Sequence, residues 1–161
     1  LKNSADLLNA IWRKDADKVA TYMAQAHFET SHLQYNDENA LSYTVSLALY
    51  AARNFYHVYR EFPSGSGFAY ISCVDEFLKI EELPSGHGYA DVVFLPKKST
   101  DMPMLLVELK WNKSAEGAIR QILKKQYFQN LDDYSGNMLL VGINYDLKTR
   151  KHECKIVEFI K

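Results

Sequence analysis

Apolar positions along the chain change their spacing at two points. Near the N-terminus they recur at helical intervals: Leu7, Leu8, Ile11 and Trp12 form one stripe, and Val19, Tyr22, Met23 and Ala26 another. This predicts two helices, with Ser4 and Asp15 as their N-caps. A third and longer helix is expected from Asn36 or Asp37, with Leu41, Val45, Ala48, Ala52 and Phe55 on its core-facing stripe and Tyr43, Leu47 and Tyr50 widening it.

From residue 56 the pattern becomes strand-like, in the runs HVYREF, FAYISCV, FLKIEEL, YADVVFL and MLLVELKW, bounded by Pro, Ser and Gly. Helical spacing then returns near Ser114, with Ile119, Ile122, Leu123, Tyr127 and Leu131 as the expected buried side. The tail, NMLLVGINYDLKTRKHECKIVEFI, predicts a strand, a turn around Asp146 to Arg150 and a second strand. This order of elements is an α/β arrangement in which a sheet lies between the long helix and the later one.

Within the last run of the first group, LLVELKW at residues 105–111, strand alternation sends Leu105, Val107, Leu109 and Trp111 to one face. Leu106, Glu108 and Lys110 share the other. Such a pair is either a solvated surface salt bridge, worth little, or part of a site. Two turns upstream are near-copies, EFPSGSGFA at 61–69 and ELPSGHGYA at 82–90. Only the second delivers a carboxylate, Asp91; the matching position after the first is Tyr70. Residues 68–83 are therefore expected to form an extra hairpin that guides substrate or pairs with a second copy of the chain, since an uncovered sheet edge exposes unpaired backbone groups.

Length and composition change this picture little. With 161 residues, 47% of them hydrophobic, one domain is expected over 1–161, divided into an N-terminal helical part (1–35) and a core (36–161). The formal net charge of −1 shows no global excess of positive charge, but residues 97–125 hold seven Lys and Arg against three Asp and Glu. That basic surplus surrounds the charged strand. The two cysteines, Cys73 and Cys154, have no framework spacing, which favours a reducing, cytoplasmic setting. No apolar run approaches the ~18 residues of a membrane span. The chain begins with Leu and is expected to be part of a longer protein.

Two carboxylates on consecutive strands disfavour each other's ionised form unless a positive charge lies between them. Asp91 and Glu108 fit that description, and a hard divalent cation such as Mg²⁺ would supply the charge. Other chemistries lack their residues: His87, His152 and Cys154 have no zinc-ligand spacing, Gly65-Ser66-Gly67 has no P-loop lysine, and no nucleophile elbow occurs.

Asp91 with Glu108-Leu109-Lys110, together with the stretches ENALSYTVSLALYAARNFY, GYADVVFLP, LLVELKWNKSAEGAIRQI and LLVGINYDLKTRKHE, resembles the PD-(D/E)XK nuclease superfamily. More narrowly, it looks like a bacterial branch whose nuclease-like domain follows an AAA-type ATPase domain. The resemblance implies a restriction-endonuclease-like αβββαβ core, with a mixed sheet flanked by helices and extra N-terminal helices. It also implies Mg²⁺-dependent hydrolysis of phosphodiester bonds, DNA ahead of RNA, with Mn²⁺ as a substitute ion. Asp91, Glu108 and the Leu109 carbonyl would bind the metal, and Glu38 would complete its site. Lys110 would orient or deprotonate the attacking water, and Gln121 would face the site. Local readings stand beside two of these: a solvated helix residue for Gln121 and a first-turn carboxylate favoured by the helix dipole for Glu38. Lys113, Lys124, Lys125 and Tyr127 would approach a nucleic-acid backbone, although an amphipathic helix alone gives the same pattern. Ala90 replaces the proline that usually precedes the aspartate. The rival reading is a catalytically idle interaction or nucleic-acid-binding module serving the ATPase domain.

Overall fold

The computed structural model describes residues 3–29, 41, 44–45, 47–63, 70–74, 77–81, 89–98, 100–125 and 136–160; for 29, 59–63, 70–74, 77–81 and 89–91 the description is of the backbone. Two helices open the chain, α1 (Ser4–Trp12) and α2 (Ala16–Glu29). Asp15 caps α2 as expected, its Oδ1 accepting the Lys18 N–H at 3.2 Å. Ser4 does not cap α1. It lies in the first turn behind Asn3, and its Oγ instead accepts the N–H of Ala51 at 2.8 Å, tying α1 to the segment before the sheet.

Residues 41, 44, 45, 47 and 48 are helical, and the segment tightens into a 3-10 turn at Tyr50–Asn54. The stripe Leu41, Val45, Ala48 and Ala52 is buried, but Leu47 and Tyr50 are 46% and 60% exposed, so they do not widen it. A helix offers the core a face about 100° wide, and these two positions fall beyond its rim.

The strands are β1 (Tyr56–Pro63), β2 (Tyr70–Val74), β3 (Phe77–Glu81), β4 (Tyr89–Pro96), β5 (Met104–Trp111), β6 (Met138–Asp146) and β7 (Lys151–Phe159), with α3 (Ala115–Lys125) between β5 and β6. Five of them form a mixed sheet in the order β1-β4-β5-β6-β7; only β5 and β6 run parallel, joined through α3. β2 and β3 pair with each other in a two-stranded sheet, the extra hairpin expected before β4. The result is an α/β fold of the restriction-endonuclease-like type.

Alternation on β5 divides the interior. Leu105, Val107 and Leu109 join residues of α1 and α2 and Leu41, Val45, Ala48, Leu49 and Ala52 in one apolar cluster, with Leu139, Val141, Ile143 and Tyr145 of β6. Met104 and Leu106 join a second cluster with Val93, Leu95, Ile119, Ile122, Met138 and Leu140 under α3. In the larger cluster Tyr56 is 2% exposed, and its hydroxyl accepts from Trp12 Nε1 at 2.7 Å and donates to the Pro103 carbonyl at 2.9 Å, so its one polar atom is satisfied. On α3, Ile119 and Ile122 are buried as expected, whereas Leu123 is 41% exposed at the edge of the helix face.

α3 sits close to the sheet because β6 offers it a glycine. A Cβ on Gly142 would stand 2.4 Å from the Ala115 carbonyl oxygen and 2.9 Å from the Ala118 Cβ. Both are rigid parts of the helix, so a methyl group there must push α3 outward. Gly142→Ala is expected to cost about 2 kcal/mol and to lower the melting temperature by roughly 4–8 °C for a chain of this size. Calorimetric melting checks this, and an unchanged midpoint would mean that α3 has room to spare.

Candidate active site

Glu108 and Lys110 occupy the α3 face of β5, in phase with Leu106. They are not a surface pair. Glu108 is 1% and Lys110 8% exposed, and Lys110 Nζ donates to Glu108 Oε1 at 2.9 Å. Gln121, one of the partly buried residues of α3, reaches across and donates from Nε2 to the same oxygen. The solvated-helix reading of Gln121 is thereby replaced by a direct contact with the carboxylate. Two donors from two elements converge on one buried oxygen. A buried carboxylate without such partners would cost several kcal/mol, and removing one partner from a buried pair typically costs about 3–5 kcal/mol.

β4 and β5 are antiparallel, with Val92 opposite Val107, Val93 opposite Leu106 and Phe94 opposite Leu105. Asp91 and Glu108 are the next residues along their strands beyond the first of these pairs. Position 91 also has the strand phase of Val93 and Leu95, both of which belong to the α3-side cluster. Asp91 is described in its backbone only, and Glu38 and Tyr127 lie outside the described residues. Among the described residues no group of three or more His, Cys, Asp or Glu gathers. The donors that remain are the Glu108 carboxylate, the Leu109 carbonyl and the carboxylate that position 91 carries. This all-oxygen set suits a hard divalent cation better than zinc or copper.

Residues that the sequence reading passed over hold this corner together. Asn144 of β6 pairs in register with Lys110 and is 3% exposed. Its Oδ1 accepts the Lys113 N–H at 3.0 Å and its Nδ2 donates to the Lys113 carbonyl at 3.3 Å, fixing the turn that leaves β5. Asn112, in the left-handed region at φ 54°, makes that turn sharp. At the start of α3, Ser114 Oγ accepts from the Gly117 N–H at 3.0 Å, and Glu153 of β7 accepts from the Ala115 N–H at 3.0 Å. Glu116 forms an ion pair with Lys155 of β7. The signal for Asn144 was present in LLVGINYD: Gly142 and Asn144 interrupt an otherwise apolar strand with period two, on the face that Lys110 shares. Of the expected basic contacts, Lys113 and Lys124 are exposed and Lys125 is half-buried.

His152 and Cys154 belong to a different place. They lie on β7 with Ile156, towards α2 and the larger cluster. The His152 ring lies tilted against Tyr145 at 4.7 Å and edge-to-face with His27 at 5.4 Å, centre to centre. Burial pushes the Cys154 thiol up to about 12, with Glu153 and Asp17 adding to the effect, so it is no thiolate nucleophile at neutral pH. Burial, helped by the neighbouring His27, lowers His152 to about 4. The unfolded chain therefore takes up a proton at His152 that the folded chain refuses. The stability held at this residue is complete above pH ~6.5 and is lost progressively as the pH falls towards ~4. Urea midpoints measured from pH 7 to 4.5 should fall for the wild type and fall less steeply for His152→Gln; parallel curves would rule out this source of acid sensitivity.

A family model of the PD-(D/E)XK nuclease superfamily matches residues 66–155, more than half of the chain. That span begins just before the β2–β3 hairpin, ends within β7 and contains Asp91, Glu108, Lys110 and Gln121. No curated protein and no solved structure matches the chain. With its mixed sheet, its buried Glu-x-Lys on β5 and this match, the chain belongs to the PD-(D/E)XK nuclease superfamily.

Proposed function

We propose that the protein is a metal-dependent nuclease that hydrolyses phosphodiester bonds, with DNA as its substrate ahead of RNA and Mg²⁺ as its ion. The observation that carries the reading is the convergence of Lys110 Nζ and Gln121 Nε2 on one buried oxygen of Glu108, one residue beyond the Val92–Val107 pair that borders Asp91. An apolar pair of similar volume would fill that volume at less cost than a buried ion pair. A carboxylate and an ammonium at this depth, beside a second carboxylate position, suit the chemistry of a site.

Asp91, Glu108 and the Leu109 carbonyl would hold the cation, with Glu38 completing its shell. The bound ion would supply positive charge for the phosphate and would make a water easier to deprotonate. Lys110, two residues from Glu108 on the same face, holds an ammonium where a water or a phosphate oxygen can take its hydrogen bonds. Gln121 fixes the rotamer of Glu108 from the helix side. Lys113, Lys124, Lys125 and Tyr127 would contact the nucleic-acid backbone. An AAA-type ATPase domain on the same protein, a homodimer formed through the β2–β3 hairpin and a cytoplasmic location complete the proposal.

Incubation of plasmid, single-stranded DNA and RNA with the protein tests it. Cleavage should require Mg²⁺ or Mn²⁺ and stop in chelator, and Asp91→Asn, Glu108→Gln and Lys110→Met should each lose roughly 100-fold or more. Calorimetry should show Mn²⁺ binding that weakens in Asp91→Asn and Glu108→Gln but persists in Lys110→Met. A folded wild type that binds nucleic acid and cuts none of it under any of these conditions would fit the idle-module reading instead.

A further inference from the structure

The turn between β6 and β7 is basic, exposed and rigidly built. Residues 147–151 are all exposed and include Lys148, Arg150 and Lys151. Asp146 Oδ1 accepts from the Thr149 N–H at 2.7 Å and from its hydroxyl at 2.9 Å, and Arg150 turns the chain at φ 56°. The Leu147 N–H donates to Asn112 Oδ1 at 2.7 Å, which binds this turn to the one leaving β5. A solvated charge run on a mobile loop would need none of these bonds.

Cationic side chains outnumber carboxylates at this corner. None of Lys113, Lys148, Arg150 and Lys151 forms a salt bridge among the described residues. Two carboxylates lie beside these cations: Asp146, held below the usual carboxylate range by its bonds to Thr149 and further by the Lys148 charge, and Glu153, which accepts the Ala115 N–H. A chain of net charge −1 thus concentrates four cationic side chains around two linked turns.

The register places this corner beside the candidate site. Asn144 pairs with Lys110 on one side and Glu153 on the other, and Asp146 pairs with Lys151 two residues further on. At ~3.3 Å per residue along a strand and ~4.8 Å between strands, the Lys151 backbone lies roughly 12 Å from that of Lys110. With ~3.4 Å of rise per nucleotide, this is three to four nucleotides from a phosphate held at Lys110.

We propose that Lys148, Arg150 and Lys151 form a phosphate-contact surface for the nucleic-acid strand leading away from the site. The choice of a nucleic acid over an acidic protein rests on the nuclease reading and on continuity with Lys113, which Asn144 fixes between the two places. Contacts of this kind set position and affinity and carry no sequence information.

Fluorescence anisotropy with labelled single-stranded and duplex DNA, in chelator so that no cleavage intervenes, tests the surface apart from catalysis. The triple variant Lys148→Gln, Arg150→Gln, Lys151→Gln should bind about 10-fold or more weakly near 0.1 M salt. Its slope of log affinity against log salt should be shallower by about 2–3, equally for unrelated sequences. Lys18→Gln, on α2, should behave as wild type. Each single substitution should shift the slope the same way by about a third as much, so the singles decide the matter should the triple variant fail to fold. Wild-type affinity and slope in the variants would overturn the surface, as would a wild type that binds no DNA or prefers polyglutamate of equal charge. Cleavage is scored separately. A protein that cuts but ignores these substitutions loses the surface and keeps the nuclease reading; one that binds through them and never cuts does the reverse.

Discussion

A carboxylate that is 1% exposed in the middle of a sheet is the constraint from which the rest of this structure follows. A carboxylate at this depth is costly unless positive charge and hydrogen-bond donors reach it. Strand geometry supplies the first: Lys110, two residues on, stands on the same face and bonds Oε1 at 2.9 Å. The second must come from another element, and Gln121 provides it only because α3 lies close over the sheet. That closeness in turn requires a residue without a Cβ at position 142, directly beside Glu108 in the register. One charge thus sets the choice of residue on its own strand, on the covering helix and on the neighbouring strand.

The same corner shows how a short crossover is held in place. β5 ends, turns through Asn112 and enters α3 at Ala115, leaving few residues to absorb error. Asn144 clamps Lys113 by both backbone groups, and Glu153 with Lys155 fastens the first turn of α3 from β7. These are hydrogen bonds from strands to a loop and a helix end, so they fix the helix in all directions where apolar packing alone would let it slide. The opposite face of the sheet is conventional by comparison: α1, α2 and Leu41, Val45, Ala48, Leu49 and Ala52 bury apolar side chains against β5 and β6.

Much of this was legible in the sequence because period is a strong signal. The alternation in LLVELKW assigned Glu108 and Lys110 to one face, the near-copied turns separated the hairpin strands from the strand that bears Asp91, and Asp15 announced its cap. What failed were positions at the rims of stripes. Leu47 and Tyr50 fall outside the buried helical face and Leu123 lies at its edge, and an apolar residue in the sequence does not by itself mark the width of that face. Ser4 failed for a different reason: its hydroxyl had a better use on a residue 47 positions away. Gly142 and Asn144 mark themselves by interrupting the apolar run LLVGINYD, but what they serve is a helix and a turn that only the fold brings beside β6. Glu38 and Tyr127, expected at the site, lie outside the described residues.

A divalent cation shared by the Asp91 position and Glu108 is the centre of the proposed function. Anomalous diffraction from crystals grown with Mn²⁺ tests it most directly. A peak is expected within ~2.2 Å of a Glu108 carboxylate oxygen and of the Leu109 carbonyl, absent in crystals of Glu108→Gln. A peak confined to another place, such as the His27–His152 pair, or a peak that survives the loss of the Glu108 carboxylate, would contradict it.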